Sequence, residues 1–348
     1  MGVATPVRWG ILSTADINRL VIPGAHASDK VELMAVASRD QSRAEEYAER
    51  WRIPRAYGSY EELLADPEVE AVYISLPNTL HCEWSIRALE AGKHVLCEKP
   101  LSRRVADVEA SFATAERAGR LLSEAFMYRH NPQTARLAML LGEGAIGELR
   151  LIRATFSYSL YDASNIRLRP DVDGGSLMDV GCYCVSACRL LAGEPESVFG
   201  RAWQGPSGTD WVVTGSLAFP GDVLALFDAG TALVDRDELE VVGSEGSLFL
   251  DDPWHCRRPV NELRGKTSVE RVELEPADSY RLELENLSDA IRGTAGLLLG
   301  KRDATSQART IEALFESLET GAPVSLPPSH ASEARSPGEA APARPRPR

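Results

Sequence analysis

The chain has no surplus of basic residues and no long apolar run, and each absence excludes a class of partner. It carries 38 Lys and Arg against 51 Asp and Glu, a net charge of -13, so it lacks the basic face that duplex DNA or an anionic membrane surface requires. No apolar run approaches the roughly 20 residues of a membrane span, and residues 1–6 lack the regions of a signal peptide. We expect a cytoplasmic protein that binds a small molecule, with neither nucleic acid nor membrane as a partner.

Cysteine is also scarce. Six cysteines are spread over 348 residues without a C-x-x-C pair, far from the density of a disulfide scaffold. Cys182, Cys184 and Cys188 are close in sequence, but a zinc site would require a fourth ligand and a more usual spacing. We expect free thiols and no metal.

The first third of the chain alternates short β-rich runs with segments whose apolar residues recur every three or four positions. This alternation is typical of a parallel sheet with helices on both faces. The predicted strands are Val7 to Leu12, Val31 to Ala37, Ala71 to Ser75, His94 to Cys97 and Leu121 to Ala125. The predicted helices are Ser42 to Trp51, Ser59 to Ala65, His81 to Ala91 and Val105 to Ala118.

After residue 125 strands follow one another with short connections, which favours a mostly antiparallel sheet with helices on one face. The predicted strands are Leu149 to Ser159, Val198 to Trp203, Trp211 to Phe219, Val223 to Asp228, Glu238 to Val242, Ser247 to Leu250 and Val269 to Leu274. The predicted helices are Pro132 to Leu141, Ser176 to Leu191, Tyr280 to Arg292 and Thr305 to Thr320.

The predicted fold class is therefore α/β, an N-terminal Rossmann domain followed by a C-terminal α+β domain with an open sheet. The predicted boundaries are 1–125 for the dinucleotide-binding domain, 126–328 for the substrate-binding and oligomerisation domain, and 329–348 for a disordered tail with almost no large apolar residue. An uncovered apolar sheet face is a usual subunit contact, so we expect a homodimer or homotetramer formed through this sheet.

The turn after the first predicted strand lacks the glycines that usually mark a dinucleotide site. The positions of the G-x-G-x-x-G fingerprint hold Ser13, Ala15 and Asn18. Small side chains still allow backbone N–H groups to approach a pyrophosphate at a helix N-terminus. On these residues alone, a dinucleotide turn and a plain strand-to-helix turn are equally good interpretations.

The second predicted strand ends in Ser38-Arg39-Asp40, where a Rossmann domain reads the adenosine ribose. A hydroxyl followed by a guanidinium favours the 2′-phosphate of NADP, whereas an acidic residue favours the ribose hydroxyls of NAD. Ser38 and Arg39 therefore predict NADP, while Asp40 keeps NAD open as the alternative. Arg39 could also be an ordinary surface charge.

Two strand ends and one helix supply candidate catalytic groups. The loops Pro77-Asn78-Thr79-Leu80-His81 and Glu98-Lys99-Pro100 follow predicted strands, and ligands of a doubly wound sheet bind at the strands' carboxyl ends. Asp179 and Tyr183 lie four residues apart in a predicted helix and share one face, so with Lys99 they could form a proton-transfer site. Taken singly, Asp179 is better interpreted as an acid that complements the dipole at a helix N-terminus, and Tyr183 as a half-buried tyrosine.

Together these stretches resemble the Gfo/Idh/MocA family of nicotinamide-dependent oxidoreductases over residues 7 to about 326. The resemblance rests on Trp9-Gly10-Ile11-Leu12, Ala37-Ser38-Arg39, the two strand-end loops and Met178-Asp179-Val180-Gly181-Cys182-Tyr183. The Glu-Lys-Pro triplet is its most specific marker. Tyrosine at 183, where many members have histidine, is similar to the branch that contains glucose-fructose oxidoreductase, dihydrodiol dehydrogenase and xylose dehydrogenase.

The resemblance implies catalytic roles for Lys99, Asp179 and Tyr183, in which Tyr183 passes the hydroxyl proton and Lys99 lowers the pKa of its phenol. With the turn and the ribose contacts, the predicted cofactor site comprises Ser13, Thr14, Ala15, Ile17, Ser38, Arg39, Leu76, Asn78, His81, Glu98, Lys99 and Arg167, the last reaching the phosphates. The predicted substrate site comprises Lys99, Arg129, Asp179, Tyr183 and Tyr280.

The implied activity is hydride transfer between NADP and a carbinol or carbonyl carbon of a sugar or related polyol. Two alternatives stay open. A ketoreductase acting on a nucleotide-linked deoxysugar would share all of these residues. A regulatory protein that senses the dinucleotide without catalysis would share the fold, because fold alone does not fix function.

Overall fold

Two β-sheets, one parallel and one mostly antiparallel, organise the computed structural model of the chain. It describes residues 5–160, 162 and 164–327, so the predicted disordered tail, 329–348, lies outside the described residues. Within this part of the chain, no helix has both the length and the apolar character needed to cross a membrane.

The N-terminal sheet has six parallel strands in the order β3-β2-β1-β4-β5-β6, which is the order of a doubly wound dinucleotide-binding fold. Its strands are β1 Val7–Leu12, β2 Val31–Ala37, β3 Arg55–Tyr57, β4 Ala71–Ile74, β5 His94–Glu98 and β6 Leu122–Ala125. The helices between them are α1 Asn18–Ala27, α2 Gln41–Trp51, α3 Tyr60–Ala65, α4 His81–Glu90 and α5 Val105–Ala118. The predicted Rossmann fold is confirmed.

The C-terminal sheet has nine strands in the order β14-β13-β12-β11-β7-β10-β9-β8-β15. Its strands are β7 Leu149–Ser159, β8 Ser197–Gln204, β9 Asp210–Phe219, β10 Val223–Gly230, β11 Ala232–Gly243, β12 Ser247–Asp251, β13 Val260–Arg264, β14 Val269–Glu273 and β15 Val324–Ser325. The remaining helices are α6 Pro132–Gly142, α7 Cys182–Ala192, α8 Ser279–Arg292 and α9 Lys301–Thr320. Strands β7 and β10 pair in parallel and the other described pairs are antiparallel, as the fold prediction requires.

Helix α8 returns to the N-terminal sheet. Leu284 and Leu287 pack in the same core as Trp9 of β1, and the indole N–H of Trp9 donates to the Ser288 hydroxyl at 3.1 Å. Arg292 at the end of α8 donates two hydrogen bonds, of 2.8 and 2.9 Å, to Glu70 just before β4. Helix α8, which belongs to the predicted segment 126–328, therefore covers the first sheet, and the predicted domain boundaries stay a prediction.

Only one face of the C-terminal sheet is covered within the described residues. Helices α7 and α9 lie on the inner face, where Leu217 and Phe227 are buried. On the outer face the side chains of Leu224 and Leu226 are 54% and 50% exposed, and Trp203 is 57% exposed. The outer face thus exposes large apolar side chains beside charged ones such as the Arg236–Asp228 pair, and its use as a subunit contact stays a prediction.

Candidate active site

A cavity of about 1060 Å³ separates the carboxyl ends of the N-terminal sheet from the C-terminal sheet. The first sheet contributes the turn after β1 and the loops after β4 and β5. The C-terminal part of the chain contributes β7, residues 178–183 at the start of α7, and residues between 235 and 258 of β11, β12 and the following loop. This is the position in which an open parallel sheet binds its ligand.

The three predicted catalytic residues meet in the middle of this cavity. The ammonium group of Lys99 donates to the backbone carbonyl of Asp179 at 2.6 Å and lies 3.8 Å from its carboxylate. The same ammonium lies 4.8 Å from the centroid of the Tyr183 ring. All three residues line the cavity. Their roles in catalysis stay a prediction.

The carboxylate of Asp179 is held by two further side chains. Tyr158 donates its hydroxyl to one oxygen at 2.5 Å, and Arg167 donates its Nε–H to the other at 3.0 Å. Burial opposes ionisation, but the charges of Arg167 and Lys99 outweigh it and lower the pKa of Asp179. Asp179 is therefore an ionised anchor for this part of the site.

Tyr158 was missed by the sequence analysis, although it stands near the end of the long predicted strand at 149–159. Arg167 was predicted to reach the cofactor phosphates, and the structure places its guanidinium on Asp179 instead of leaving it free. A phosphate contact by Arg167 stays a prediction.

Two glycines allow the loop that carries Arg167 to pack closely against the helix start. A side chain at Gly174 would lie 2.7 Å from the carbonyl oxygens of Ile166, Arg167 and Arg169. Gly175 has a φ of +124° and donates its N–H to the Arg167 carbonyl at 2.8 Å. Residues 177–181 then form a π-helical turn, a form frequently found at functional sites, before α7 begins.

The Tyr183 hydroxyl is enclosed by Met127 and by aromatic rings. Its Oη is 3.6 Å from the sulfur of Met127, and the rings of Phe126 and Phe156 meet its ring edge-on at 5.4 and 5.3 Å. Burial raises the pKa of Tyr183 well above its ordinary value. The expectation that Lys99 lowers this pKa is wrong for this arrangement, because the ammonium faces the ring and not the oxygen.

The loops after β4 and β5 are tied to each other and to the second domain. Both ring nitrogens of His81 face backbone carbonyls, Pro100 at 2.9 Å and Leu76 at 2.8 Å. The Asn78 amide donates to the carbonyl of Asp173 at 2.8 Å. His81 and Asn78 therefore fix the loops on which Lys99 stands, and their cofactor contacts stay predictions.

Glu98 is buried behind Lys99. It accepts a hydrogen bond from the Tyr73 hydroxyl at 2.5 Å and one from the Lys99 backbone N–H at 3.2 Å. Burial raises the pKa of Glu98. Tyr280 lines the cavity as predicted for a pocket residue, at the start of α8.

The turn after β1 replaces glycine with a hydrogen-bonded network. Ser13 has a φ of 120°, a region that favours glycine, and its hydroxyl contacts the Ser75 hydroxyl at 2.9 Å. Asn18 accepts from the Ser75 hydroxyl at 2.7 Å and donates to the Ser13 carbonyl at 2.9 Å. Within residues 5–160 the N–H groups of Asp16 and Ile17 have no acceptor, so the N-terminus of α1 offers two donors to a pyrophosphate.

The predicted ribose end of the site lies at the N-terminal cap of α2. Asp40 accepts from the Ser42 hydroxyl at 2.6 Å and from the Arg43 backbone N–H at 2.9 Å, so its carboxylate is engaged as the N-cap. Arg39 is exposed and lies beside the hydroxyl of Tyr60. These residues fit a 2′-phosphate better than a pair of ribose hydroxyls.

Arg129, a predicted substrate residue, does not line the cavity. Its guanidinium donates to Ser186 at 3.3 Å and to Asp303 at 3.4 Å, between α7 and α9. The family resemblance placed it among the substrate residues, but the short 3₁₀ segment at 127–130 turns its side chain to the helices. We correct it to a structural residue.

The wall opposite Lys99 holds a second group of charged residues that the sequence analysis missed. Asp237, Asp252 and His255, called here the His255 cluster, place their polar atoms within 4.8 Å of one another. His255 lies 2.7 Å from Asp237 and 3.5 Å from Asp252. The available signal was the density of charge in Asp251-Asp252-Pro253-Trp254-His255-Cys256-Arg257-Arg258.

Comparison with known proteins gives consistent matches over most of the chain. The profile of the oxidoreductase family with an NAD-binding Rossmann fold matches residues 7–126, and that of the GFO/IDH/MocA C-terminal domain matches residues 134–249. D-xylose 1-dehydrogenase (NADP(+)) 2 of Haloferax volcanii is 40% identical, covering 91% of this chain and 99% of the relative.

Two solved structures share both domains. A 3-ketoreductase from Actinomadura kijaniata, in complex with NADP and TDP-benzene, is 31% identical with a TM-score of 0.84, covering 90% of this chain and 98% of that one. An aldose-aldose oxidoreductase from Caulobacter crescentus, complexed with glycerol, is 27% identical with a TM-score of 0.86, covering 92% and 100%.

Proposed function

Because the chain belongs to the GFO/IDH/MocA family of oxidoreductases, we propose that it transfers a hydride between NADP and a carbinol or carbonyl carbon of a sugar or related polyol. The observation that carries this proposal is the meeting of Lys99, Asp179 and Tyr183 in one cavity at the carboxyl ends of the parallel strands. The 40% identity to a xylose dehydrogenase over nearly its whole length supports a sugar as the substrate.

The choice of NADP follows from the ribose end of the site. Asp40 is engaged in capping α2, and Arg39 is left to bond a 2′-phosphate. The turn at 13–18 offers backbone donors to the pyrophosphate, and Asn78, His81 and Glu98 would lie along the nicotinamide. When bound, the nicotinamide supplies or accepts the hydride.

The protein's own part of the reaction is to hold the reacting oxygen and handle its proton. Burial keeps Tyr183 protonated at neutral pH, so in the reduction direction its hydroxyl can give a proton to the oxygen of the carbonyl as that carbonyl is reduced. Lys99, anchored on the Asp179 carbonyl, would bond the same oxygen and stabilise its developing charge. Tyr158 and Arg167 keep the Asp179 carboxylate in place.

A second candidate is a ketoreductase for a nucleotide-linked deoxysugar. It is supported by the likeness to the Actinomadura kijaniata 3-ketoreductase, which was solved with NADP and TDP-benzene. Both candidates use the same cofactor and the same three central residues, so they differ in what the far end of the cavity must accept.

The test is a screen of the purified protein for NADP reduction with free aldoses and polyols, and for NADPH oxidation with keto-sugars. We expect turnover with at least one free sugar, lost in Lys99→Ala, with NADP preferred to NAD. Tight NADP binding without turnover of any of these compounds would contradict the proposal and leave two alternatives, the ketoreductase for a nucleotide-linked deoxysugar and a dinucleotide-sensing regulatory protein.

We also propose that the protein is a homodimer or homotetramer joined through the outer face of the C-terminal sheet. The exposed Leu224 and Leu226 in the middle of this face support a second copy as the occupant, since large exposed apolar side chains on a sheet are typical of subunit contacts.

A further inference from the structure

The wall of the cavity opposite Lys99 carries many charges, and its basic side chains are already paired. The wall consists of residues 235–258, from β11, β12 and the loop that follows. Its carboxylates are those of Asp235, Asp237, Asp251 and Asp252, and its basic groups are those of His255, Arg257 and Arg258, because the side chains of Arg236 and Glu238 alternate with Asp237 and point to the outer face of the sheet. Carboxylates thus outnumber cations on this wall.

Each arginine of the wall has a carboxylate partner. Arg257 makes a two-point contact with Asp252, at 3.0 Å through both nitrogens. Arg258 pairs with Asp251. A guanidinium in such a two-point pair is not free to receive a phosphate without losing its partner.

The His255 cluster is the most buried part of the wall. The side chains of Asp252 and Asp237 are 3% and 15% exposed. Burial opposes the charge of His255, but hydrogen bonds to Asp237 and Asp252 outweigh it and raise its pKa to about 9. At neutral pH the cluster therefore holds a cation between two carboxylates, with Arg257 on the outer side.

A metal ion is a poor occupant for this cluster. A ligand histidine must offer a lone pair, whereas the Nδ1 of His255 lies 2.7 Å from Asp237 and 3.5 Å from Asp252, and these two carboxylates favour the protonated ring. Arg257 occupies both oxygens of Asp252. Hydroxyl groups suit the cluster better, because they donate to carboxylates and accept from a protonated imidazole at the same time.

The cluster lies within reach of a substrate held at Lys99. The ring of Phe156, which lines the cavity, is 5.3 Å from the ring of Tyr183 on one side and 5.5 Å from the ring of His255 on the other. Trp254 stacks on Phe156 at 6.0 Å and fixes it. A single sugar ring could lie across Phe156, with its reacting carbon at Tyr183 and its far hydroxyls at His255.

From this arrangement we infer that the far end of the cavity binds the hydroxyl groups of an uncharged, unphosphorylated monosaccharide through the His255 cluster, and rejects a sugar that carries a phosphate or a nucleoside diphosphate. The inference rests on the proposed function and specifies its substrate class. An anionic group at this wall would meet more carboxylates than cations and find its possible partners, the arginines, already engaged.

The experiment compares Asp237→Asn and His255→Gln with the wild type and with Asp222→Asn as the matched control. Asp222 lies in the turn between β9 and β10, away from the cavity, with a φ of 61° that asparagine tolerates. The readouts are kcat and KM for the best free aldose of the screen with NADP, the same constants for glucose and glucose 6-phosphate, inhibition by dTDP, and thermal unfolding of each variant.

We expect the wild type to use glucose 6-phosphate at least about tenfold less efficiently than glucose, and dTDP not to compete with the aldose. Both cluster variants should raise the KM for the free aldose by about tenfold or more, the usual effect of losing a charge-assisted hydrogen bond, with a smaller change in kcat and none in NADP affinity. Asp222→Asn should behave as the wild type.

Three results would overturn the inference. If folded Asp237→Asn and His255→Gln both keep the wild-type KM, the cluster does not bind the substrate. If glucose 6-phosphate is preferred or dTDP competes with the aldose, the wall accepts anions, although the proposed oxidoreductase function would stand. If the wild type turns over no sugar at all, the proposed function fails and the inference fails with it.

Discussion

At the scale of single residues, cofactor choice depends on two neighbours that the sequence presents in conflict. From the sequence alone, Arg39 favours NADP and Asp40 favours NAD. In the structure the Asp40 carboxylate accepts hydrogen bonds from Ser42 and the Arg43 N–H, which supports the prediction that the guanidinium of Arg39 reads the cofactor.

The first prediction concerns Arg39. Arg39→Ala should raise the dissociation constant for NADP by about tenfold or more, because a charge-assisted hydrogen bond to phosphate contributes roughly 1.5 to 3 kcal/mol. The affinity for NAD should hardly change. Fluorescence titration of both dinucleotides measures the two constants, and equal losses for NADP and NAD would contradict the assignment.

The second prediction concerns Tyr183 and Lys99. Tyr183→Phe should lower kcat by about 10² to 10⁴, because it removes the proton donor and leaves the enclosure of Met127, Phe126 and Phe156 intact. Lys99→Ala should be at least as damaging. The double variant should be little worse than the worse single one, since residues that act as a unit are not additive.

These variants also separate the two possible acids. NADP affinity of Tyr183→Phe should match the wild type, which titration can verify. If Tyr183→Phe keeps near-normal turnover while Lys99→Ala abolishes it, the lysine itself passes the proton and the tyrosine only shapes the cavity.

At the scale of elements, the sequence predicts the strands and helices of the N-terminal sheet well where hydrophobic periodicity is strong. It omits α1, whose interior Pro23 and Gly24 interrupt a helical pattern, and β3, which has three residues. It also omits β13, next to one edge of the second sheet, and β15, at the other edge. Short strands with little burial leave almost no periodic signal.

The site divides in the same way. Lys99, Asp179 and Tyr183 could be predicted because each occupies a motif at a strand or helix end. Tyr158 and the His255 cluster could not, because their importance arises from side chains that are distant in sequence and meet across the cavity. The placement of α8 on the first sheet was equally hidden, since periodicity identifies a helix but not the sheet on which it packs.

The third prediction tests the attachment of α8. Hydrogen bonds from Arg292, opposed by burial, lower the pKa of Glu70 from 4.5 to about 2. A carboxyl with a lowered folded pKa stabilises the fold above its unfolded pKa and loses this contribution as pH falls through the folded pKa. Arg292→Gln should therefore reduce the free energy of unfolding by about 1 to 2 kcal/mol at pH 7, allowing for solvent screening and for the second partner, Arg8.

Urea unfolding at several pH values measures this effect. The difference between Arg292→Gln and the wild type should shrink as pH falls from about 4.5 toward about 2, leaving only the loss of the hydrogen bonds from Arg292 to the carbonyls of Thr5 and Pro6. Arg150→Gln, which breaks an exposed pair with Glu148, is the control and should cost little. A difference that does not change with pH would show that Glu70 is not the partner that matters.

At the scale of the whole molecule, the two faces of the C-terminal sheet have different surroundings. The inner side of the C-terminal sheet faces α7, α9 and the cavity, so its substitutions affect packing and catalysis. The outer side presents apolar side chains that none of the described elements covers. Strand β10 shows both, since Ala225 and Phe227 are buried while Leu224 and Leu226 alternate with them on the outside.

The fourth prediction concerns assembly through this outer face. A stable contact between two copies usually buries about 800 Å² on each, and two carboxylates at its centre would be desolvated without partners, so Leu224→Asp combined with Leu226→Asp should shift the protein from a dimer or tetramer to monomers. Light scattering coupled to size exclusion at micromolar concentration measures the mass. Leu298→Asp is the control, because Leu298 is also 50% exposed but lies in the loop between α8 and α9. Unchanged turnover per chain in the monomeric variant would show that the cavity is complete within one copy. A wild type that is already monomeric, or a double variant that keeps the mass of the oligomer, would rule out this face as the subunit contact.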